Sequence, residues 1–276
     1  MLLLVAGTAA LGPVAAHADP LSVFQPSAVR AISVTPAEMK ALRGLPPLDA
    51  FGTVHGTRTP AVEDVASASD AGAGTGFALR LPANIDPALR KSVRYQVTTL
   101  LRTSFTFSAA KAAAWAGDHK VALQPIPAGL DGTTYMATIE PLALVTYGVS
   151  SIGPRNGRGM PRGSFVAVMQ ARAPSVSSTG ATVETLARWF SLQPGIPPQL
   201  AAQVRAIGDP TQTLPIPVRF DKQTAADVTV DGVRGLAIGD ETGIGSAIVW
   251  MKDGKMYAVG GTLTQSGALA LANDLQ

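Results

Sequence analysis

Short runs in which apolar and polar residues alternate recur along much of the chain, and a period of two is typical of β-strands. This alternation predicts strands at Phe77–Ile85, Ser92–Leu101, Tyr135–Ile139, Leu142–Tyr147 and Ser164–Gln170. Apolar residues at helical spacing predict helices at Ser108–Ala116, Thr182–Leu192 and Pro198–Ile207. The strands and helices occur in groups rather than in strict βαβ alternation, so the pattern indicates an α+β fold.

Two Asp-Gly pairs mark hairpins in the C-terminal part of the chain. Asp231-Gly232 and Asp253-Gly254 each separate two apolar strands, and this dipeptide tolerates the positive φ angles that two-residue hairpin turns require. The second turn places Trp250 opposite Tyr257 on the paired strands. A closing helix is predicted at Thr264–Asn273, with its first residue as the N-cap.

The N-terminal part contains one helix signal and one stretch of low hydrophobicity. Thr35 is followed by Pro36 and Glu38, which together predict a capped helix start. Residues 44–76 are rich in Pro, Gly, Ser, Thr, Ala and Asp, a composition typical of linkers. We therefore divide the chain into an N-terminal segment 1–18, a juxtamembrane segment and flexible linker 19–76, and an α+β extracytoplasmic domain 77–276.

Residues 1–18 are apolar and contain no Asp, Glu, Lys or Arg, so we interpret them as a signal peptide or a membrane anchor. Ala16-His17-Ala18 fits the small-x-small cleavage pattern, and cleavage after Ala18 would leave Asp19 as the mature N-terminus. The basic region that normally precedes such a segment is missing, and a bilayer span needs about 20 residues. Both interpretations predict an extracytoplasmic protein, membrane-anchored or secreted, whereas a buried helix is the plain alternative.

Composition narrows the chemistry and the partners of the protein. The chain has no cysteine, which excludes thiolate catalysis and cysteine metal sites. Its 276 residues, 46% hydrophobic and 15% charged, suffice to bury a large core. The net charge of +3 is small for this length and no run of Lys or Arg occurs, so nucleic acid is not an expected partner.

No set of side chains in the sequence predicts an enzyme or a metal site. The three histidines are His17, His55 and His119. No two of them have the i, i+4 spacing of zinc ligands. Gly243–Ala247 resembles a nucleophile elbow only in containing a serine, and a turn leading into a strand explains it better. Asp240 and Glu241 lack the alternating acidic loop of a calcium site and indicate a solvated turn. We expect no catalytic residue, no cofactor and no metal.

A glycine-rich stretch, 153–163, carries three arginines and no acidic residue. The arginines are Arg155, Arg158 and Arg162. Guanidinium groups and exposed backbone N–H groups suit an anionic head group, a phosphate or an acidic partner surface. The alternative is a soluble hairpin loop between the flanking strands, and the sequence leaves both interpretations open.

The C-terminal residues resemble a small domain found in the exported parts of bacterial membrane proteins, including anti-sigma factors. The shared features are a strand ending in Trp250, the Asp253-Gly254 turn, a strand containing Tyr257, then Gly261 and a closing helix after Thr264. Residues 21–42, which follow the apolar segment, are similar to the stretch after the membrane helix of such proteins. The resemblance does not extend to the middle of the chain, 98–220.

This resemblance implies a curved antiparallel sheet with helices packed mainly on one face, as in periplasmic lipoprotein carriers. It implies a non-catalytic extracytoplasmic sensor or regulatory domain of an anti-sigma-factor-like membrane protein in the bacterial cell envelope. The membrane, through the N-terminal segment, and a protein partner or apolar ligand are the implied contacts. The alternative is a periplasmic or cell-surface carrier that binds a lipid or other apolar ligand, and a hydrolase is disfavoured because no acid, base and nucleophile converge.

The missing basic region yields a first prediction. We expect in-frame codons upstream of Met1 to encode basic residues, because an anchor needs a charged flank on its cytoplasmic side. Sequencing the coding region and the N-terminus of the exported protein tests this. A stop codon directly before Met1, together with a mature protein that begins at Asp19, would support secretion and count against the anchor.

Overall fold

The computed structural model describes residues 22–56, 59–148, 163–206, 211–219 and 221–276. Its strands are β1 Ser22–Phe24, β2 Ala28–Val34, β3 Gly52–Gly56, β4 Val62–Val65, β5 Val93–Thr98, β6 Leu101–Phe107, β7 Thr134–Ile139, β8 Leu142–Tyr147, β9 Val166–Arg172, β10 Ser175–Ser178, β11 Thr213–Arg219, β12 Gln223–Val230, β13 Val233–Asp240, β14 Ser246–Lys252 and β15 Lys255–Gly261. Its helices are α1 Pro36–Arg43, α2 Ala68–Thr75, α3 Pro87–Arg90, α4 Ala109–His119, α5 Val183–Ser191, α6 Pro198–Arg205 and α7 Gln265–Asn273. A short 3-10 helix lies at Leu48–Ala50.

The strands form two antiparallel sheets and one parallel pair. The larger sheet has eight strands in the order β12-β13-β14-β15-β9-β8-β5-β4, and the smaller has five in the order β1-β10-β7-β6-β3. Strand β2 pairs in parallel with β11 and contacts β13 and β14 of the larger sheet. The predicted α+β class with a large antiparallel sheet is confirmed.

Three two-residue connections carry the chain from one antiparallel sheet to the other. They are Thr99-Leu100 between β5 and β6, Glu140-Pro141 between β7 and β8, and Ala173-Pro174 between β9 and β10. A two-residue hairpin would pair the strands that it joins, but here each strand pairs only with neighbours in its own sheet. Proline donates no N–H and interrupts a ladder, so Pro141 and Pro174 mark the places where the strands change sheet.

Serine and threonine caps start most of the helices. Five helices begin after a residue whose hydroxyl accepts a hydrogen bond from the backbone N–H three positions on, which satisfies one of the free donors of a helix start. These caps are Thr35, Ser67, Ser108, Thr182 and Thr264. The capping box predicted between Thr35 and Glu38 is confirmed, as is the closing helix after Thr264.

Both Asp-Gly hairpins are confirmed. Asp231 and Gly232 have φ angles of 51° and 76°, and Asp253 and Gly254 have φ angles of 48° and 68°, as a two-residue turn of this kind requires. The second hairpin pairs Trp250 with Tyr257, and their rings stack with centroids 5.2 Å apart.

The face of the large sheet that carries Trp250 is a packed core. The side chains of Trp250, Ile248 and Val259 have no exposed surface. Helix α7 lies on β13, β14 and β15, and its Ala268 and Ala272 are likewise fully buried. Alanine at these positions lets the helix lie close to the sheet. We call this cluster the Trp250 core.

The segment between α2 and β5, residues 77–92, crosses the same core, and we call it the strap. The prediction of a strand at Phe77–Ile85 is wrong, because this segment forms only one isolated bridge, between Pro82 and Leu275. Its apolar residues nevertheless face inward, and Ile85 is 5% exposed. The alternation in the sequence therefore reflects burial against a sheet and not membership of it.

A carboxylate on the first hairpin turn binds the strap. Asp231 forms ion pairs with Arg80 of the strap and with Lys252 of β14, the latter at 2.9 Å. The hydrogen bond from Arg80 lowers the pKa of Asp231 below its usual value, and Lys252 acts in the same direction.

A second core lies on the small sheet and is largely aromatic. Phe51 and Phe107 contact Trp189 of α5 edge-on, with ring centroids 5.7 and 5.1 Å away. Helices α4 and α5 contact this sheet, α6 contacts β2, and α2 and α7 contact the large sheet. The described helices therefore contact the two antiparallel sheets and the parallel pair, and the predicted packing of the helices mainly on one face is not confirmed.

The interpretation of residues 44–76 as a flexible linker is wrong, and so is a domain boundary at Phe77. This stretch contributes β3 to the small sheet, β4 to the large sheet, and α2, which packs on β5 and β8. Phe51 and Val54 are 3% and 7% exposed, and Ala71 has no exposed surface. The small residues that suggested a linker instead allow α2 to lie close to the sheet.

The hairpin geometry yields a prediction about stability. We expect Gly254→Ala to destabilise the protein by about 1–2 kcal/mol, because an L-residue in the left-handed region carries roughly that cost. The matched control is Gly117→Ala in α4. No heavy atom lies within 4 Å of an added Cβ at either position, so only backbone conformation distinguishes them. The control should stabilise by about 0.5–1 kcal/mol. Urea unfolding of both variants measures the difference, and equal effects would refute the assigned turn.

The strap carboxylate yields a prediction about pH. Because the pKa of Asp231 is lowered in the folded state, its contribution is complete above the unfolded pKa of about 4 and is lost as pH falls through the folded value. Asp231→Asn keeps a residue that tolerates positive φ and should cost about 1–2 kcal/mol at pH 7. In urea unfolding at several pH values, this cost should vanish at low pH. The matched control is Asp253→Asn, the same substitution at the same position of the other hairpin, which leaves both ion pairs of Asp231 in place.

Candidate functional site

The large sheet is apolar on both faces over its central strands. Val145, Val168 and Val259 belong to the Trp250 core and have no exposed surface. Successive side chains of a strand point to opposite faces, so their neighbours point away from that core. These neighbours are half-buried and apolar: Leu142, Leu144, Ala167, Met169 and Ala258. We call the surface that they form the open face.

Strand register brings these side chains together. Leu144 of β8 is paired with Met169 of β9, which is paired with Ala258 of β15. One row of the open face is therefore apolar across three neighbouring strands. Paired residues on adjacent strands are close enough for their side chains to be in contact.

Exposed apolar residues occur on strands and connections that neighbour these strands in the sheet or along the chain. Val62 of β4, Leu100 between β5 and β6, and Met136 of β7 are 59%, 39% and 43% exposed. Val62 lies opposite Thr98, and Met136 follows Tyr135, which is buried in the aromatic core on the other side of the small sheet. Soluble proteins seldom gather exposed apolar side chains in this way unless they contact a partner or ligand.

A furrow of small residues runs along the next row of the open face. Thr146 is paired with Ala167, and Ala167 with Gly260. A Cβ at Gly260 would lie 2.9 Å from that of Ala247, so glycine is needed there. Thr146 is 1% exposed, and its hydroxyl has no hydrogen-bond partner in the part of the chain that is described. The furrow thus combines an apolar surface with one unpaired polar group.

The outer margin of this surface is polar and charged. Arg94 of β5 forms an ion pair with Asp64 of β4 at 3.1 Å, and Gln96 donates to the same carboxylate at 3.0 Å. Charges of both signs balance there, so the open face offers apolar contact rather than a field of one sign.

The two histidines in the described part of the chain, His55 and His119, lie on separate elements. His119 ends α4, with its ring stacked on Trp115 at 4.5 Å and its Nδ1 2.8 Å from the Trp115 carbonyl oxygen. His55 lies on β3, opposite Ser104. Within the described ranges, no three His, Asp or Glu side chains are placed to hold a metal ion.

The motifs Asp240-Glu241 and Gly243–Ala247 form the turn between β13 and β14 and the start of β14, the simpler structure that the sequence favours. The Ser246 hydroxyl donates to the Leu263 carbonyl at 2.8 Å and is 8% exposed at the start of β14. The Asp240 carboxylate accepts from the hydroxyl and the backbone N–H of Thr242 and from the N–H of Gly245. These bonds, with the bond from the Thr242 hydroxyl having the largest effect, lower the pKa of Asp240 and all engage its Oδ1 within its own turn.

Two sets of predicted site residues lie outside the described residues. They are Arg155, Arg158 and Arg162 of the glycine-rich stretch, and Ala18 and Asp19 at the predicted cleavage site. No helix in the described part of the chain is both long and apolar enough to span a bilayer.

Two clefts lie elsewhere on the surface. One, of about 490 Å³, lies between α2 and Phe77. The other, of about 400 Å³, lies between α5 and the segment around Pro125, with Trp189 as part of its floor and Leu192 on its rim. Neither contains a set of residues with catalytic chemistry.

Sequence reasoning missed the open face, although a signal was present. The segments SFVAVMQ and LALVTY are apolar at nearly every position, which is typical of strands that make contacts on both faces. Which face is covered depends on the position of α7 and the strap, and that is decided by tertiary packing.

Comparison with known proteins finds no matching family model, no matching curated protein and no matching solved structure.

Proposed function

We propose that the protein is a non-catalytic extracytoplasmic sensor or regulatory domain of an anti-sigma-factor-like membrane protein, and that it binds a protein or ligand through the open face. The observation that carries this proposal is the apolar row of Leu144, Met169 and Ala258 on three paired strands. Val62 is exposed on β4 of the same sheet, and Met136 is exposed on β7, the strand that leads into β8.

The opposite face is already covered by segments of the chain itself. Trp250, Ile248 and Val259 are covered by α7 and the strap and have no exposed surface, so this face holds a core and not a cleft. Methionine and leucine on the open face are flexible side chains, which suit a surface that adapts to a partner.

A carrier for a lipid or other apolar ligand is the second candidate. The row of Thr146, Ala167 and Gly260 favours it, because the buried Thr146 hydroxyl lacks a hydrogen-bond partner among the described residues. A carbonyl or carboxyl oxygen would satisfy that hydroxyl, at a gain of roughly 1 kcal/mol for a neutral hydrogen bond.

Charge substitution tests the open face. We expect Met136→Lys combined with Val62→Lys to reduce cross-linking of the exported protein to its envelope partner at least tenfold, because a lysine must be desolvated in an apolar interface. Leu192→Lys is the matched control, since Leu192 is 46% exposed and Met136 43%, and it lies on α5. All variants should unfold at wild-type urea concentrations, because these side chains are exposed.

The other outcomes separate the candidates. Lipid found by mass spectrometry in organic extracts of purified protein, and reduced by Ala167→Phe, would favour the carrier. Loss of cross-linking in Leu192→Lys alone would move the site to the cleft beside α5. Hydrolytic turnover that disappears in His119→Ala would refute a non-catalytic function.

A further inference from the structure

The strap is held by groups that contact its backbone as well as its side chains. The carboxamide of Gln170, in the middle of β9, accepts from the backbone N–H of Arg80 at 2.9 Å and donates to the carbonyl of the same residue at 2.6 Å. Gln170 is 1% exposed among apolar neighbours. A buried carboxamide is costly unless it is paired, and here only an extended peptide backbone pairs with it.

The side chain of Arg80 is also bound on several sides. Its guanidinium forms an ion pair with Asp231, donates to the Leu275 carbonyl at 2.6 Å, and lies 5.8 Å from the centre of the Tyr257 ring. A carboxylate, a carbonyl and an aromatic face together select a guanidinium over other side chains.

The C-terminal residues complete the contact. Leu81 and Gln276 exchange two backbone hydrogen bonds, each of 3.1 Å, and the Asp274 carboxylate accepts from the backbone N–H of Asn84 at 2.6 Å. In the core below, the indole N–H of Trp250 is fully buried and has no hydrogen-bond partner among the described residues.

We infer that Gln170, Asp231 and the residues 274–276 form a binding groove for an extended peptide with an arginine between apolar residues, and that the strap occupies this groove in cis. Main-chain hydrogen bonds to an extended segment, with one specific side-chain pocket, are the way in which strand-adding peptide sites recognise their ligands. The strap is then an autoinhibitory segment that a partner segment of the same chemistry replaces.

The resident segment defines the ligand. Its sequence is Leu79-Arg80-Leu81-Pro82, in which the leucines pack on the Trp250 core and the arginine reaches Asp231. Charge complementarity with Asp231 requires a cation, and the Leu275 carbonyl with the Tyr257 ring favours arginine over lysine. The partner is therefore an extended protein segment, and not a lipid or a nucleic acid.

A peptide added in trans tests this inference. The probe is a fluorescein-labelled peptide of residues 77–85, FALRLPANI, titrated with the full chain by fluorescence anisotropy. We expect the Arg80→Ala chain to bind it at least tenfold more tightly than the wild-type chain, because the variant's own strap no longer fills the arginine pocket. A peptide in which the arginine is alanine should bind that variant at least tenfold more weakly, and adding Asp231→Asn to the chain should have the same effect.

Controls keep the outcome interpretable. Circular dichroism establishes that the Arg80→Ala chain is folded. If it is not, Asn84→Ala serves instead, because it removes the hydrogen bond that the Asn84 side-chain amide donates to the Asp274 carboxylate at 2.9 Å. Hydrogen exchange at the Leu81 amide of the wild-type chain should accelerate when excess peptide is added. Equal binding by wild-type and variant chains, or equal binding of both peptides, would overturn the inference and make the strap a fixed part of the core. The peptide assay changes neither Val62 nor Met136, so this result and that for the open face are independent.

Discussion

Burial of the stacked Trp250–Tyr257 pair is the constraint on which the rest of the structure depends. These two large rings lie on one face of the sheet, in a hairpin whose turn fixes their register. Leaving them in water would forfeit roughly 2–3 kcal/mol of transfer free energy for each ring. Helix α7, which follows the hairpin in sequence, and the strap, which precedes it, both pack on this core. Segments that are distant in sequence therefore meet over one hairpin.

That arrangement determines which surface remains for binding. The sheet is apolar on both faces, but helix α7 and the strap both pack on the face that carries Trp250. The parallel pair β2–β11 covers the other face near β13 and β14. Strands β8 and β9 are left with half-buried leucine and methionine. The open face therefore results from the packing of α7 and the strap on the opposite face of the sheet.

The same arrangement brings residues from distant parts of the sequence together around Arg80. Gln170 is in the middle of β9, Asp231 is on a hairpin turn, and Leu275 is near the C-terminus, yet all three contact Arg80. A buried polar network of this kind is favourable only when every member is satisfied. Whatever occupies the groove must therefore supply a backbone N–H, a backbone carbonyl and a cation, which is a demanding specification for a ligand.

The sequence by itself determined the local structure. Asp-Gly pairs require positive φ, hydroxyl residues cap helices, and period-two runs form strands, and each of these depends only on residues that are near one another in the chain. The two hairpins, the Trp250–Tyr257 register, the capping box at Thr35 and the α7 helix were predictable for that reason. The α+β class followed from the order of the elements.

Tertiary structure alone decided which elements share a sheet and which faces are covered. Residues 44–76 have a linker's composition, but their small side chains suit close packing of α2 on β5 and β8, and a partner distant in sequence decides between the two. The apolar alternation of Phe77–Ile85 fits both a strand within the sheet and a segment that packs on the sheet. The structure shows the second, because the segment forms a single bridge, between Pro82 and Leu275, and no ladder. The apolar runs of β8 and β9 indicate contacts on both faces, but which face stays uncovered, and where the strap lies, is decided where segments far apart in the chain meet, and no local pattern records such a meeting.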